Sequence, residues 1–159
     1  ANNMIARGSK IGVLVAGLLK CLSQLEWLPI LLVRLSVGLL FFESGRGKLF
    51  VKLDELMEFF VKLGIPFPHF NAVFVSTVEF VGGICLILGL ATRIFSAQLT
   101  FVMLVAILSS EIKKVSTLGD FLYLPEVLLL VIFVWLAFSG PGKISIDHLL
   151  SRKLGFEDQ

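Results

Sequence analysis

The chain has 159 residues, of which 57% are hydrophobic and 16% charged, with 15 phenylalanines, a mean hydropathy of +0.94 and a formal net charge of +2. An ordinary soluble domain carries roughly 25% charged residues, so this composition excludes a water-soluble globule and makes lipid the solvent for most of the chain. The positive charge is too small and too dispersed to argue for a nucleic acid partner.

In chain order, residues 1–28 come first. The stretch "IGVLVAGLL" (11–19) has the outline of a signal-peptide core, but Lys20 stands where a small cleavage-site residue is wanted. Placed on a helix, Ile11, Leu14, Val15, Leu18, Leu22 and Leu25 share one face, and Lys10, Lys20, Ser23 and Gln24 share the other. The apolar run is too short to span, so the spacing predicts an amphipathic helix lying in the headgroup plane. An uncleaved targeting segment and packing on another subunit are the alternatives.

A spanning helix needs roughly 20 mainly apolar residues, and four segments meet that: Pro29 to Phe50, Phe70 to Ala91, Ile94 to Ile112 and Phe121 to Ser139. The reading is therefore all-α, a polytopic membrane protein whose four transmembrane helices form a bundle over residues 29–142. Residues 143–159 follow as a C-terminal tail. Between the first two segments, residues 52–63 read as a second interfacial helix, and "GIPFPH" (64–69) marks a loop with its two prolines and glycine. "GLATR" (89–93) is a tight turn, so the second and third segments form an antiparallel hairpin. "EIKKVSTLGD" (111–120) is polar enough to surface. In "SGPGK" (139–143), Gly140 suits a left-handed cap and Pro141 cannot continue the ladder. Ser145 to Leu154 reads as a short interfacial helix with Ser145 as its cap. Four crossings place both termini on one side. Lys and Arg divide seven to six between the two sides, which does not fix orientation.

The charges within the apolar segments carry the functional question. Arg34, Gly38, Phe41, Gly45 and Lys48 are spaced 4, 3, 4 and 3 apart and form one helical stripe. Its two glycines allow another helix to come close, so the stripe is expected to face protein. Glu43 lies on the opposite face and reads as reaching the headgroups. Glu79 falls near the middle of the second segment with Gly82 and Gly83 beside it. Glu126 falls in the fourth, with Tyr123 one turn before it. An isolated charge near the bilayer centre costs roughly 2.5–3.5 kcal/mol on insertion scales, so pairing is expected, in a depth order Arg34, Glu79, Glu126, Lys48. Two readings stay open. The charges are ties that set the register of the bundle, or they line a polar cavity that handles a proton or a quinone-like head group. Ser96, Thr100, Met103 and Ser110 share a face that offers hydroxyl partners, and Arg93 reads as snorkelling.

Cys21 and Cys85 lie far apart and read as apolar thiols. His69 and His148 fall at segment boundaries, so no facing pair offers itself to a b-type haem, and no Cys, His or carboxylate cluster has metal-ligand spacing. Redox chemistry here would need an organic carrier or a partner subunit.

Three motifs arrive in order: "R-x3-G-x2-F-x3-G-x2-K-L" (34–49), "E-x2-GG-x5-GL-x-TR" (79–93) and "GPGKISID" (140–147). Together they resemble the DoxX family of small membrane proteins. That family's usual ending is closer to G-P-G-R-Y-S-L-D, and here Lys143 and Ile144 stand at the basic and aromatic positions. The resemblance implies a four-helix bundle in a prokaryotic inner membrane and an association with quinone-linked sulfur oxidation. It brings Arg34, Lys48, Glu79, Arg93 and Glu126 as matching polar positions, without a catalytic assignment for any of them.

The leading expectation is an accessory subunit of a quinone-linked redox membrane complex. Its candidate charge cluster is Arg34, Lys48, Glu79 and Glu126, with Arg34, Glu79, Tyr123 and Glu126 as contacts for a quinone or lipid head group. No metal and no intrinsic cofactor are expected, and the partners are the bilayer and other membrane subunits. The alternatives are a non-catalytic structural subunit filling a lipid-facing gap, or a small-solute transporter.

Overall fold

The computed structural model describes residues 23–154, together with residues 12, 15–17, 19 and 20. The expected interfacial helix over residues 1–28 lies largely outside the described residues. The regular structure is helical throughout the described residues. It comprises α1 (Trp27–Phe50), α2 (Leu53–Leu63), α3 (Pro68–Leu88), α4 (Thr92–Ser109), a 3-10 turn (Glu111–Lys114), α5 (Leu118–Leu122), α6 (Pro125–Ser139) and α7 (Ile146–Leu154).

By length and apolar composition α1, α3 and α4 can cross a membrane, while α6 is apolar but has 15 residues. The fourth segment thus differs from the expected single helix starting at Phe121. Pro125 bars its predecessor from the helical region, and Leu124 is extended at φ −67°, ψ 123°. The segment therefore splits into α5 and α6. A capping box closes the start of α5, with the Thr117 hydroxyl accepting from the Asp120 N–H and the Asp120 carboxylate accepting from the Thr117 N–H.

The α1–α3 interface is made by glycines. A Cβ on Gly45 would lie 2.3 Å from the Phe80 nitrogen, and one on Gly83 would lie 2.4 Å from the Phe42 nitrogen. The two backbones touch, so any side chain at either position forces the helices apart. Gly82 faces the other way, towards Leu99 and Phe95 of α4. The adjacent pair in α3 thus serves two neighbours. The shared core joins α1, α3, α4 and α6 through Phe41, Leu86, Leu99, Met103, Phe133 and Leu136, with Phe41 and Phe133 edge to face at 4.9 Å.

The predicted hairpin turn forms. Gly89 takes φ +68°, its N–H reaches the Leu86 carbonyl, and the Leu90 N–H reaches that of Cys85. This is a Schellman closure. Helix α2 packs against α1 and α3 and ends at Gly64, which is also left-handed at φ +74°.

Candidate functional site

Two polar constructions sit at different levels of the bundle. The first is a clasp around Arg34. This side chain is 2% exposed, and its guanidinium donates to the backbone carbonyls of Pro141 and Ile144, the latter at 2.7 Å. Two carbonyls turned inward by the Gly140–Gly142 turn thus serve a charge that lipid would not. The same segment runs on to Asp147, whose carboxylate accepts from the N–H groups of Ala91 (2.8 Å) and Thr92 (3.1 Å) at the start of α4. Its own N–H returns to the Gly89 carbonyl. Ala91 is left-handed at φ 47° and offers no side-chain cap, so a carboxylate from α7 fills the capping role and complements the helix dipole. Gly89 has no room for a side chain, because a Cβ would lie 2.6 Å from Arg34 Nη1 and from Ser145 Cβ. The beginning of α1 and the chain following α6 therefore meet at one end of the bundle.

The second is a cavity of about 540 Å³ between α1, α2, α3, α4 and α6, within the roughly 300–1,000 Å³ usual for small-molecule sites. Its walls are mainly apolar, including Phe41, Phe59, Phe60, Phe74 and Phe101. Lys48 and Glu79 form an ion pair in it. Lys48 Nζ lies 2.7 Å from both Glu79 oxygens, and the Ser44 hydroxyl donates to Glu79 Oε2 at 3.0 Å. The carboxylate side chain is 2% exposed and the lysine 35%, so one end of the pair is buried and the other is partly exposed. Glu126 lines the same cavity, and its Oε2 is buried without a hydrogen-bond partner.

The expected Arg34–Glu79 contact does not form, and the reason is register. The helices lock with Gly45 against Phe80 and Gly38 against Ile87. That places Arg34 eleven residues, about 16 Å of helix rise, from the level of Glu79. Depth counted from segment ends misjudged this offset. The partner of Glu79 is Lys48, and Glu126 joins them at the cavity. Arg34 instead belongs to the clasp. Tyr123 is 89% exposed and does not line the cavity, because the break at Leu124 takes it out of α6. Glu43 pairs with Arg46 at 2.7 Å across one turn, both side chains more than half exposed, a contact of little energetic weight. On α4, Ser96 and Met103 are buried in the bundle, while Met103 and Ser110 reach the cavity wall.

Ser44 is not singled out by the sequence reading, and its position four residues before Lys48, one turn away on α1, is the signal that could have found it. The cavity role of α2 was not legible. Leu56, Phe59, Phe60 and Leu63 form its apolar face, and only the fold shows that this face closes a cavity. Chemically, the site offers an amphiphile apolar walls, one ammonium group and the carboxylates of Glu79 and Glu126.

A family model described as DoxX matches residues 30–111. Among curated proteins, the chain is 30% identical over 122 residues to "Putative oxidoreductase CatD" of Bacillus subtilis, covering 77% of this chain and 87% of that one. It is 32% identical over 136 residues to "Uncharacterized membrane protein Rv3486" of Mycobacterium tuberculosis, covering 78% and 82%. It is 29% identical over 137 residues to "Inner membrane protein YqjF" of Escherichia coli, covering 83% and 99%. No solved structure matches the chain. The residues of the cavity pair and Arg34 all fall inside the matched stretch, and the carbonyls that hold Arg34 fall beyond it. Helices that cross lipid, a matching family model and relatives over most of the length agree: the chain belongs to the DoxX family and is a multi-pass inner-membrane protein.

Proposed function

We propose that this protein is an accessory subunit of a quinone-linked redox complex and that its cavity seats the quinone head group. The observation that carries the reading is the Lys48–Glu79 pair set in an aromatic, apolar cavity that Glu126 also lines. An ammonium group makes three hydrogen bonds, and Glu79 engages two of those of Lys48. The remaining one suits a ring oxygen of a quinone. The phenylalanine walls suit its ring and tail, and Glu126 suits a proton. A bound quinone supplies two-electron, two-proton chemistry. The residues of the cavity supply binding and proton exchange, so electrons come from a partner redox subunit. The oxidoreductase name of the Bacillus relative is in keeping with this.

The test is extraction of the protein from its own membranes in lipid nanodiscs, followed by mass spectrometry of its bound small molecules and co-purifying proteins. The expected result is quinone together with a redox-active partner. A Lys48→Met, Glu79→Gln double variant, which removes both charges at once, should lose the quinone while keeping the fold. Co-purifying subunits without quinone would overturn the reading in favour of a structural role.

A further inference from the structure

Helix α7 turns its faces the opposite way from a surface helix in water, which buries its apolar side and exposes its polar one. The half-buried Ile146 apart, the polar side of α7 is the inner one. Asp147 reaches into the bundle and caps α4 through the Ala91 and Thr92 N–H groups, and Ser151, one turn on, is partly buried. Leu149 and Leu150 are 59% and 43% exposed. Arg152 and Lys153 are exposed beside them, three and four residues from Leu149 and so its neighbours on the helix surface. The outward face of α7 is therefore apolar and cationic together. It lies at the level where the spanning helices end, because Asp147 meets the first turn of α4 and residues 140–145 alone separate α7 from α6.

The same end of the bundle carries further positive charge. Lys143 and Arg93 are exposed, and Arg93 lies against the Gly140 turn, where a Cβ would stand 3.0 Å from its Nε. From residue 139 to 154 the one carboxylate is Asp147, already engaged by two backbone N–H groups. Among the described residues no ion pair joins Arg93, Lys143, Arg152 or Lys153 to a carboxylate.

We propose that the outward face of α7, with Lys143 and Arg93, is a docking surface for the headgroups of anionic phospholipids. Leucines at this level dip towards the acyl chains, while Arg and Lys side chains beside them extend to the phosphates. A zwitterionic lipid answers these cations with a headgroup of no net charge. An anionic lipid leaves its phosphate charge free for them, so the surface discriminates by charge. The contact also bears on the clasp. The helix that lipid would hold carries the Asp147 cap, and the carbonyls that receive Arg34 come just before it. This surface is independent of the cavity and of what fills it.

The experiment uses the full-length protein in phosphatidylcholine nanodiscs doped with a trace of photoactivatable lipid, either phosphatidylglycerol or phosphatidylcholine, each with a diazirine at the glycerol level. Cross-links are mapped by peptide mass spectrometry. A basic residue near an anionic surface corresponds to about fivefold in affinity, so the phosphatidylglycerol probe should label residues 143–154 at least about tenfold more than the phosphatidylcholine probe. Arg152→Gln with Lys153→Gln, both at exposed positions, should remove most of that excess, as should 1 M salt, where screening acts within about 3 Å. Lys52→Gln with Lys62→Gln makes the same change of charge at the other end of the bundle and should leave the excess intact. Equal labelling of residues 143–154 by the two probes overturns the proposal, as does an excess that survives the α7 double variant or is lost equally in the α2 one. Absence of label from this segment with both probes also overturns it, and means that a second copy of the chain or another subunit covers the face. The comparison of the two probes on the unaltered protein decides the matter without any variant.

Discussion

Asp147 accepts the backbone N–H of Ala91 at 2.8 Å although 56 residues separate them in the chain. A helix start with no cap of its own is capped by the last helix of the bundle. Asp147→Ala is therefore expected to cost about 0.5–2 kcal/mol, the usual range for loss of an N-cap. Asp147→Asn, which keeps an acceptor but no charge, should cost less. Thermal unfolding in a mild detergent checks both, and equal stability of all three proteins would mean that the cap carries no weight.

The ion pair in the cavity is asymmetric, and the asymmetry has a sign. Lys48→Met strands a carboxylate that is 2% exposed, whereas Glu79→Gln strands a lysine whose side chain is 35% exposed. Breaking a fully buried pair typically costs about 3–5 kcal/mol. The lysine variant should approach the low end of that range and the glutamate variant fall below it. The double variant should recover part of the loss. A double-mutant cycle measures the coupling, and a parallel cycle between Arg34 and Glu79 should be additive because the two do not meet.

Gly45 and Gly83 leave no space between α1 and α3. Gly45→Ala places a methyl group against backbone, which cannot rotate away, and overpacking of that kind costs about 1–3 kcal/mol. Gly47 has nothing near its Cβ position. Gly47→Ala in the same helix is the control, expected to be neutral or slightly stabilising. Folded yield and melting temperature distinguish them.

Asp120, at the start of α5, lies outside the spanning helices. Its carboxyl is held below the ordinary carboxylate range, first by the Thr117 side chain and then by the Thr117 and Ser116 backbone N–H groups. A depressed folded value means that the capping box contributes fully above the unfolded carboxylate range and is lost as pH falls through the lower folded value. Amide exchange at Ser116 and Thr117 should stay slow at a pH where ordinary aspartates have protonated, and quicken only below it. Asp120→Asn should abolish that acid transition.

Much of the bundle was legible because its signals are local. Runs of apolar residues mark α1, α3 and α4, and Gly89 marks the turn between the last two. The stripe of Gly38 and Gly45 announced a close helix contact, and one exists. The break before α6 was also written locally, in Leu124–Pro125, but the surrounding hydropathy masked it and carried Tyr123 along. Charge partners were harder. They depend on the axial offset between helices, which is set by where glycines in different helices interlock, and no single segment records that offset. Hence the depth order read from the sequence sets Glu126 between Glu79 and Lys48 and pairs Glu79 with Arg34, whereas Glu79 meets Lys48 and Arg34 lies about three turns away. The inward carbonyls of Pro141 and Ile144 left no trace, because backbone acceptors have no residue type to read.

The clasp also constrains the order in which the protein can be made. Arg34 enters the bilayer early, yet the carbonyls that receive it belong to residues synthesised 107 and 110 positions later. Until those residues emerge, α1 carries a guanidinium with none of its final partners, so its first lodging in the membrane is provisional and headgroups or water must serve the charge. Chains halted before residue 140 should remain open to protease near α1, and chains released after residue 147 should become resistant. Assembly of the bundle is in this sense sealed late, by the segment that follows α6.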